Sequence, residues 1–272
     1  MLGACGGRSE SATDGGAPDA APGEGEEECS IIEEGENENF TIGDEDRDFT
    51  LVVPDDYDDA KPWPLVFVWH PLFDDDASTI EGTGLGDLAE QQGFFLFAVE
   101  SRHIEFEWDY FDPTADDNPD VEAFDRLLEC SRQIFRIDED RVYSAGFSAG
   151  ALMTAYLGMN RADVLAGNAV VSGGLLIPWM ASEQTPPWAV IWGGASDTYG
   201  GLEFEQTSLA LVDDLVGSGH DVVSCDHGLG HDWPPGAEDY IWQFFADHAR
   251  GEADVYGGTL PAGFPAYCEL SE

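Results

Sequence analysis

Short, unbroken apolar runs recur along this chain between polar and acidic stretches. Residues 49–53 (Phe-Thr-Leu-Val-Val) end at Pro54 and read as a strand. Further runs fall at 65–69, 94–99, 141–145, 168–172, 188–192 and 221–224. Runs this short and this apolar suit strands buried on both faces, as in a parallel sheet. Between them the apolar spacing lengthens to three and four. Val121, Phe124, Leu128 and Phe135 share one helical face. Residues 149–157 open a second helix, 209–216 a third that Gly217 can cap, and 240–248 a last one. Strands alternating with helices predict a doubly wound, mostly parallel α/β sheet with helices on both faces. No internal repeat is visible.

The 272 residues are ample for one domain and too few for two large ones. Residues 6–28 are Gly, Ala, Pro, Ser, Asp and Glu with almost nothing apolar, a composition that cannot bury enough surface to fold. The expected organisation is a disordered acidic tether over 1–37 and a single folded domain over 38–272. No apolar run approaches the roughly 18 residues that a membrane span needs.

Charge narrows the partners. There are 56 acidic residues against 10 basic ones, a net of −46, and Lys61 is the sole lysine. Residues 1–48 hold 15 acidic and 2 basic residues, so the remainder still carries 41 against 8. An acidic skin over an ordinary core suits a salty habitat or a demand for solubility. It argues against nucleic acid, whose phosphates would be repelled, and against anionic membrane surfaces. A monomer is expected.

Five cysteines, Cys5, Cys29, Cys130, Cys225 and Cys268, form no Cys-x-x-Cys pair, which argues against a zinc site. Leu2-Gly3-Ala4-Cys5 resembles the lipobox of bacterial lipoproteins, although no charged or apolar signal segment precedes it. Lipidation of Cys5 is expected, giving a protein secreted or anchored at the cell surface, with the lipid as its only membrane contact. The other four cysteines are even in number and suit disulfides in an oxidising compartment. Three pairings are open. The expected one joins Cys29 to Cys268, stapling the domain ends, and Cys130 to Cys225; four reduced, buried thiols are the alternative.

Chemistry concentrates in Gly146-Phe147-Ser148-Ala149-Gly150. A Gly-x-Ser-x-Gly string alone is weak in a glycine-rich chain, but this one follows an apolar strand and opens a helix, the context of a nucleophile elbow. A serine hydroxyl needs a base. Of six histidines, His231 lies in a loop after the last strand and before the last helix, on the edge where strand C-termini line a site. His227 is its near competitor. His220 precedes its strand and belongs at the opposite edge, and His248, inside a helix, is expected at the surface. Asp197 ends the glycine-rich turn after 188–192. The order Ser148, Asp197, His231 is that of α/β-hydrolases.

Two backbone N–H groups should hold the oxyanion. Ala149 supplies one; Leu72 supplies the other, since Pro71 has no N–H. His70 is expected to hold that loop structurally. Trp108, Phe111, Trp179 and Trp233 are candidates for an aromatic substrate cleft, with core packing as the alternative. The run 74–76 of three aspartates reads as a solvated loop rather than a calcium site, and no metal or cofactor is expected.

Together these pieces resemble the polyhydroxybutyrate-depolymerase and feruloyl-esterase group of α/β-hydrolases. The likeness spans roughly residues 49–250. It rests on Gly230-His231-Asp232-Trp233-Pro234, on Gly194-Ala195-Ser196-Asp197, on the elbow, and on Trp108-Asp109-Tyr110-Phe111. The chain departs from the family at the oxyanion loop, with His70-Pro71 in place of His-Gly and with Phe73 and three aspartates following. The resemblance implies an α/β-hydrolase fold and hydrolysis of a carboxylic ester, polymeric or phenolic, through an acyl-enzyme. A serine peptidase and a non-catalytic surface binding protein on the same fold are the alternatives.

Overall fold

The computed structural model describes Met1, Cys29 and residues 31–271 apart from His103, Ala253 and Asp254. Cys5 and the tether residues 6–28 lie outside the described residues. Strands β1 (Gly35–Ile42), β2 (Glu45–Val52), β3 (Trp63–Trp69), β4 (Phe95–Val99), β5 (Ile137–Phe147), β6 (Gly167–Val171) and β7 (Trp188–Trp192) come first. A small hairpin, β8 (Thr198–Tyr199) and β9 (Leu202–Glu203), precedes β10 (Val222–Asp226) and β11 (Cys268–Ser271). Apart from the hairpin, these strands join in one sheet of order β1-β2-β4-β3-β5-β6-β7-β10-β11. From β4 to β10 neighbours run parallel; β1, β2 and β11 add antiparallel edges.

The helices are α1 (Asp76–Thr83), α2 (Leu85–Gln92), α3 (Pro119–Ile134), α4 (Ala149–Asn160), α5 (Phe204–Gly217) and α6 (Ala237–Asp247). Their placement follows from the two-residue alternation of strand side chains. In β3, Leu65, Phe67 and Trp69 face a core shared with Val121 and Phe124 of α3 and Leu152 of α4. Val66 and Val68 face the other way, into a core with Leu85 of α2 and Ile241 and Phe244 of α6. Each central strand is thereby buried on both sides, which is why it reads as an unbroken apolar run. Leu211 and Leu215 of α5 close the sheet beyond β7, against Val190 and Val222. Asn118 caps α3, accepting from the N–H groups of Asp120 and Val121, and Pro119 occupies the first turn, where its missing N–H costs nothing.

The elements absent from the sequence expectation are the edge strands β1 and β11, the hairpin β8–β9 and the eight-residue helices α1 and α2. β1 carries two buried apolar side chains, Phe40 and Ile42, and too weak an alternation to read. His248 also differs from expectation. It is buried at the C-terminus of α6, where its Nδ1–H donates to the Phe244 carbonyl at 2.7 Å.

The disulfides are Cys29–Cys130 and Cys225–Cys268, so the expected pairing is wrong. Topology is the reason. Cys268 lies on β11 directly opposite Cys225 on the adjacent β10, with Cα atoms 4.0 Å apart. Cys29 is bonded to Cys130 on α3, a helix that contacts β1 at the far edge of the sheet. Stapling the chain ends would have to cross a sheet of nine strands, each about 4.8 Å from the next. No helix among the described residues is long and apolar enough to cross a membrane.

Candidate active site

Three parallel strands deliver the site to one edge of the sheet. Ser148 follows β5, Asp197 follows β7, and His231 follows β10. At Ser148 the backbone turns sharply from strand to helix, with φ 56° and ψ −117°, a conformation side-chain-bearing residues rarely adopt. The flanking glycines make that turn possible. A Cβ on Gly146 would lie 2.3 Å from the Gly150 carbonyl oxygen, and one on Gly150 would lie 1.9 Å from the Trp69 carbonyl oxygen. The Gly-x-Ser-x-Gly spacing is therefore a packing requirement: β5, α4 and β3 approach too closely for any side chain at either position.

The three side chains meet. His231 Nε2 accepts from the Ser148 hydroxyl at 2.9 Å, and His231 Nδ1–H donates to Asp197 Oδ1 at 2.7 Å. Asp197 is fully buried. Its other oxygen accepts from the Gly193 N–H at 2.9 Å and from the Ser172 hydroxyl at 2.8 Å. Burial pushes the carboxyl up, but the bonds from His231, Gly193 and Ser172 outweigh it and hold Asp197 below the ordinary carboxylate range. The imidazole lies nearly parallel to Phe204, with ring centres 4.5 Å apart, and Phe147 and Tyr199 lie beside it. Its orientation is thus fixed by a carboxylate at one nitrogen and by ring packing at its faces.

The other histidines are placed elsewhere. His227 is buried and accepts the Leu229 N–H on its Nδ1. His220 sits at the opposite end of the sheet, donating to the Pro186 carbonyl at 2.8 Å. His70 is buried in the loop after β3, where Nδ1–H donates to the Pro71 carbonyl at 2.8 Å and Nε2 accepts the Ser101 N–H at 3.0 Å.

A cavity of about 320 Å³ opens beside Ser148. Leu72, Ala149, Leu152 and the serine line it. The rest of the lining comes from two stretches of chain, with Phe106, Tyr110 and Phe111 in one and Tyr199, Gly200, Leu202 and Phe204 in the other, and from Leu176. None of its lining residues is charged, in a chain with 56 carboxylates. As the first residue of α4, Ala149 presents an N–H with no partner inside the helix.

Of the four aromatic residues expected to build a cleft, the cavity uses Phe111 alone. Trp108 is fully buried, its Nε1–H donating to the His70 carbonyl at 3.0 Å. Trp179 packs on Trp188 and His220 at the far end of the sheet, and its Nε1–H donates to Ser218. Trp233 packs into the core beneath α6. The other rings that line the cavity were missed, although Tyr199 and Phe204 closely follow the acid loop and Phe106 lies two residues from Trp108. Two of the three aspartates at 74–76 serve locally. Asp75 caps α1 by accepting the Ser78 N–H, and Asp76 accepts the Thr50 hydroxyl at 2.7 Å.

A sheet wound this way, with a serine elbow, a buried acid and a histidine on three strand ends, defines an α/β-hydrolase. Solved structures agree on that fold. The native crystal structure of the protein called sOPH superposes with a TM-score of 0.73 at 17% identity, covering 88% of this chain and 94% of that one. The acetyl xylan esterase from Aspergillus awamori gives 0.63 at 16% identity, covering 77% and 99%. The family model described as esterase PHB depolymerase matches residues 49–181. Feruloyl esterase D of Neurospora crassa is 29% identical over 161 residues, 58% of this chain and 56% of that protein. Feruloyl esterase B of Thermothelomyces thermophilus is 30% identical over 126 residues, 45% and 43%. The chain spans about half the length of the curated relatives it matches. These matches make the chain similar to the polyhydroxybutyrate-depolymerase and feruloyl-esterase group of α/β-hydrolases.

Proposed function

We propose that this protein is a serine carboxylic-ester hydrolase that works through an acyl-enzyme. The observation that carries the reading is the continuous hydrogen-bonded line from Ser148 Oγ through His231 to Asp197. His231 Nε2 takes the hydroxyl proton as Oγ attacks the ester carbonyl. The N–H groups of Leu72 and Ala149 hold the oxyanion. The tetrahedral adduct collapses, the alcohol leaves with the proton from His231, and water releases the acid by the reverse sequence. Asp197 stays ionised and stabilises the imidazolium.

The acyl group enters the uncharged, aromatic-walled cavity. That lining favours a neutral, apolar or aromatic acid and disfavours a charged one. Such acids occur in phenolic esters of plant polysaccharide and in polyesters of the polyhydroxyalkanoate kind. The names of its relatives point the same way. Two disulfides fit an oxidising location, secreted or held at the cell surface through Cys5.

A chromogenic panel of acetyl, butyryl, longer-chain and feruloyl esters, with matched amides, tests the reading. Turnover should favour esters over amides and larger apolar acyl groups over acetyl. A fluorophosphonate should label Ser148, and Ser148→Ala should abolish both. Full esterase activity in Ser148→Ala would overturn the assignment.

A further inference from the structure

Resting on the esterase reading above, we propose that Glu107 is the positioning residue that holds the oxyanion loop over Ser148. Glu107 is buried and belongs to no catalytic line; its neighbour along the chain is the fully buried Trp108. These two consecutive residues grip the loop after β3 at both ends. Trp108 Nε1–H donates to the His70 carbonyl at 3.0 Å, and Glu107 Oε1 accepts the Phe73 N–H at 3.2 Å. Leu72, the proposed oxyanion donor, lies between the two grips and lines the cavity with Ser148.

The grip is itself anchored. Glu107 Oε2 accepts the Ser101 hydroxyl at 2.5 Å, and the Ser101 N–H donates to His70 Nε2 at 3.0 Å. Residues 70, 73, 101, 107 and 108 thus form a closed ring of contacts around one short loop. Both ends of the Glu107–Phe73 contact carry backbone strain. Phe73 has φ 65° and Glu107 φ 62°, in the left-handed region that non-glycine residues avoid. Strain of that kind persists only where surrounding contacts impose it.

The physical case is one of competition. The loop carries Pro71, which has no N–H, so the first N–H it can offer after His70 is that of Leu72. The Phe73 side chain is 80% exposed and gives the loop no packing of its own. Without the carboxylate, the Phe73 N–H would turn to water and the strained turn would relax, carrying the Leu72 amide with it. A buried carboxylate is costly to keep. Here, among the described residues, it accepts the Phe73 N–H and the Ser101 hydroxyl from two segments, and so fixes the Leu72 amide that touches the reaction.

An oxyanion donor acts on the transition state rather than on bound substrate, so its displacement lowers kcat and leaves KM alone. The test measures kcat and KM on p-nitrophenyl esters, with thermal unfolding alongside, for the wild type and for Glu107→Ala, Glu107→Gln and Ser101→Ala. Glu107→Ala should lower kcat roughly 10- to 100-fold with KM within about twofold. Glu107→Gln keeps an acceptor for the Phe73 N–H and should restore kcat to within about fivefold of wild type. A folded Glu107→Ala with wild-type kcat, or with KM alone changed, would overturn the proposal. Should Glu107→Ala fail to fold, Ser101→Ala carries the test: kcat lowered about three- to tenfold at constant KM supports it, and unchanged kcat overturns it. A wild type that turns over no ester and takes no fluorophosphonate would sink the esterase reading and this inference with it. An active wild type beside an equally active Glu107→Ala would sink the inference alone.

Discussion

The Gly230 N–H donates to the Gly193 carbonyl at 2.9 Å, and this one bond joins the loop that carries the acid to the loop that carries the histidine. Gly193 also donates its own N–H to Asp197. The two loops lie so close that a Cβ on Gly193 would stand 1.8 Å from the Gly230 carbonyl oxygen. Gly193→Ala must therefore push the His231 loop away. A displacement near 1 Å in a reacting group can cost about 100-fold in rate, and kcat/KM should fall by at least that much. Gly217→Ala is the control, since nothing lies within 4 Å of its new Cβ. It should leave kcat/KM unchanged, and similar kinetics for the two variants would show that the loop contact does not matter.

Asp197 makes the stability of the site depend on pH. Its carboxyl is held below the ordinary range in the folded protein, so the folded state binds the proton less readily than the unfolded chain. The stability it contributes is complete above the unfolded value, near 3.9, and is lost as pH falls through the depressed folded value. Asp197→Asn should therefore lower the urea midpoint at pH 7, and the gap from wild type should narrow by pH 3. At pH 7 the same variant should lose roughly 1,000- to 10,000-fold in kcat, because the imidazole loses its tautomer and its counter-charge. A constant stability gap across that pH range would contradict the linkage.

How the sequence announced these positions, and where it fell silent, has a physical explanation. Ser148 was legible because a strand, two glycines and a helix leave the chain one way to turn. Asp197 and His231 were legible because loops after parallel strands share one edge. The rings were not. Trp108 and Phe111 lie three residues apart, yet one ends fully buried and the other walls the cavity. That choice is made by tertiary packing, and no local pattern encodes it. Disulfide pairing failed for a related reason. It depends on which strands are neighbours, and the return of β11 to the side of β10 leaves no signature in four residues of Cys-Glu-Leu-Ser.

The Cys225–Cys268 bridge should matter to stability rather than to chemistry. It clips the edge strand β11 to β10, closing a separation of 43 residues. Chain-entropy arguments put the loss on cutting such a loop at about 4 kcal/mol at most, and removed bridges commonly cost about 2–5 kcal/mol. The double variant Cys225→Ala/Cys268→Ala should unfold at lower temperature and keep wild-type kcat at 25 °C. Loss of kcat in a fully folded variant would place the bridge in the support of the His231 loop instead.

Phe204 and Phe111 both line the cavity, and truncating each should damage the reaction differently. Phe204 stacks on the imidazole at 4.5 Å, and its N–H donates to the Asp197 carbonyl at 2.8 Å. Phe204→Ala should loosen His231 and lower kcat for every ester, acetyl included. Phe111 touches no member of the hydrogen-bonded line and is 45% exposed at the wall. Half-burying a ring of that size against an acyl group is worth about 1–2 kcal/mol, which is roughly 5- to 30-fold in kcat/KM. Phe111→Ala should therefore lose that much on feruloyl or long-chain esters and less than about twofold on acetyl esters, which do not reach the wall. If both variants lowered all esters alike, the cavity would not be an acyl pocket. If neither did, the substrate would bind outside it.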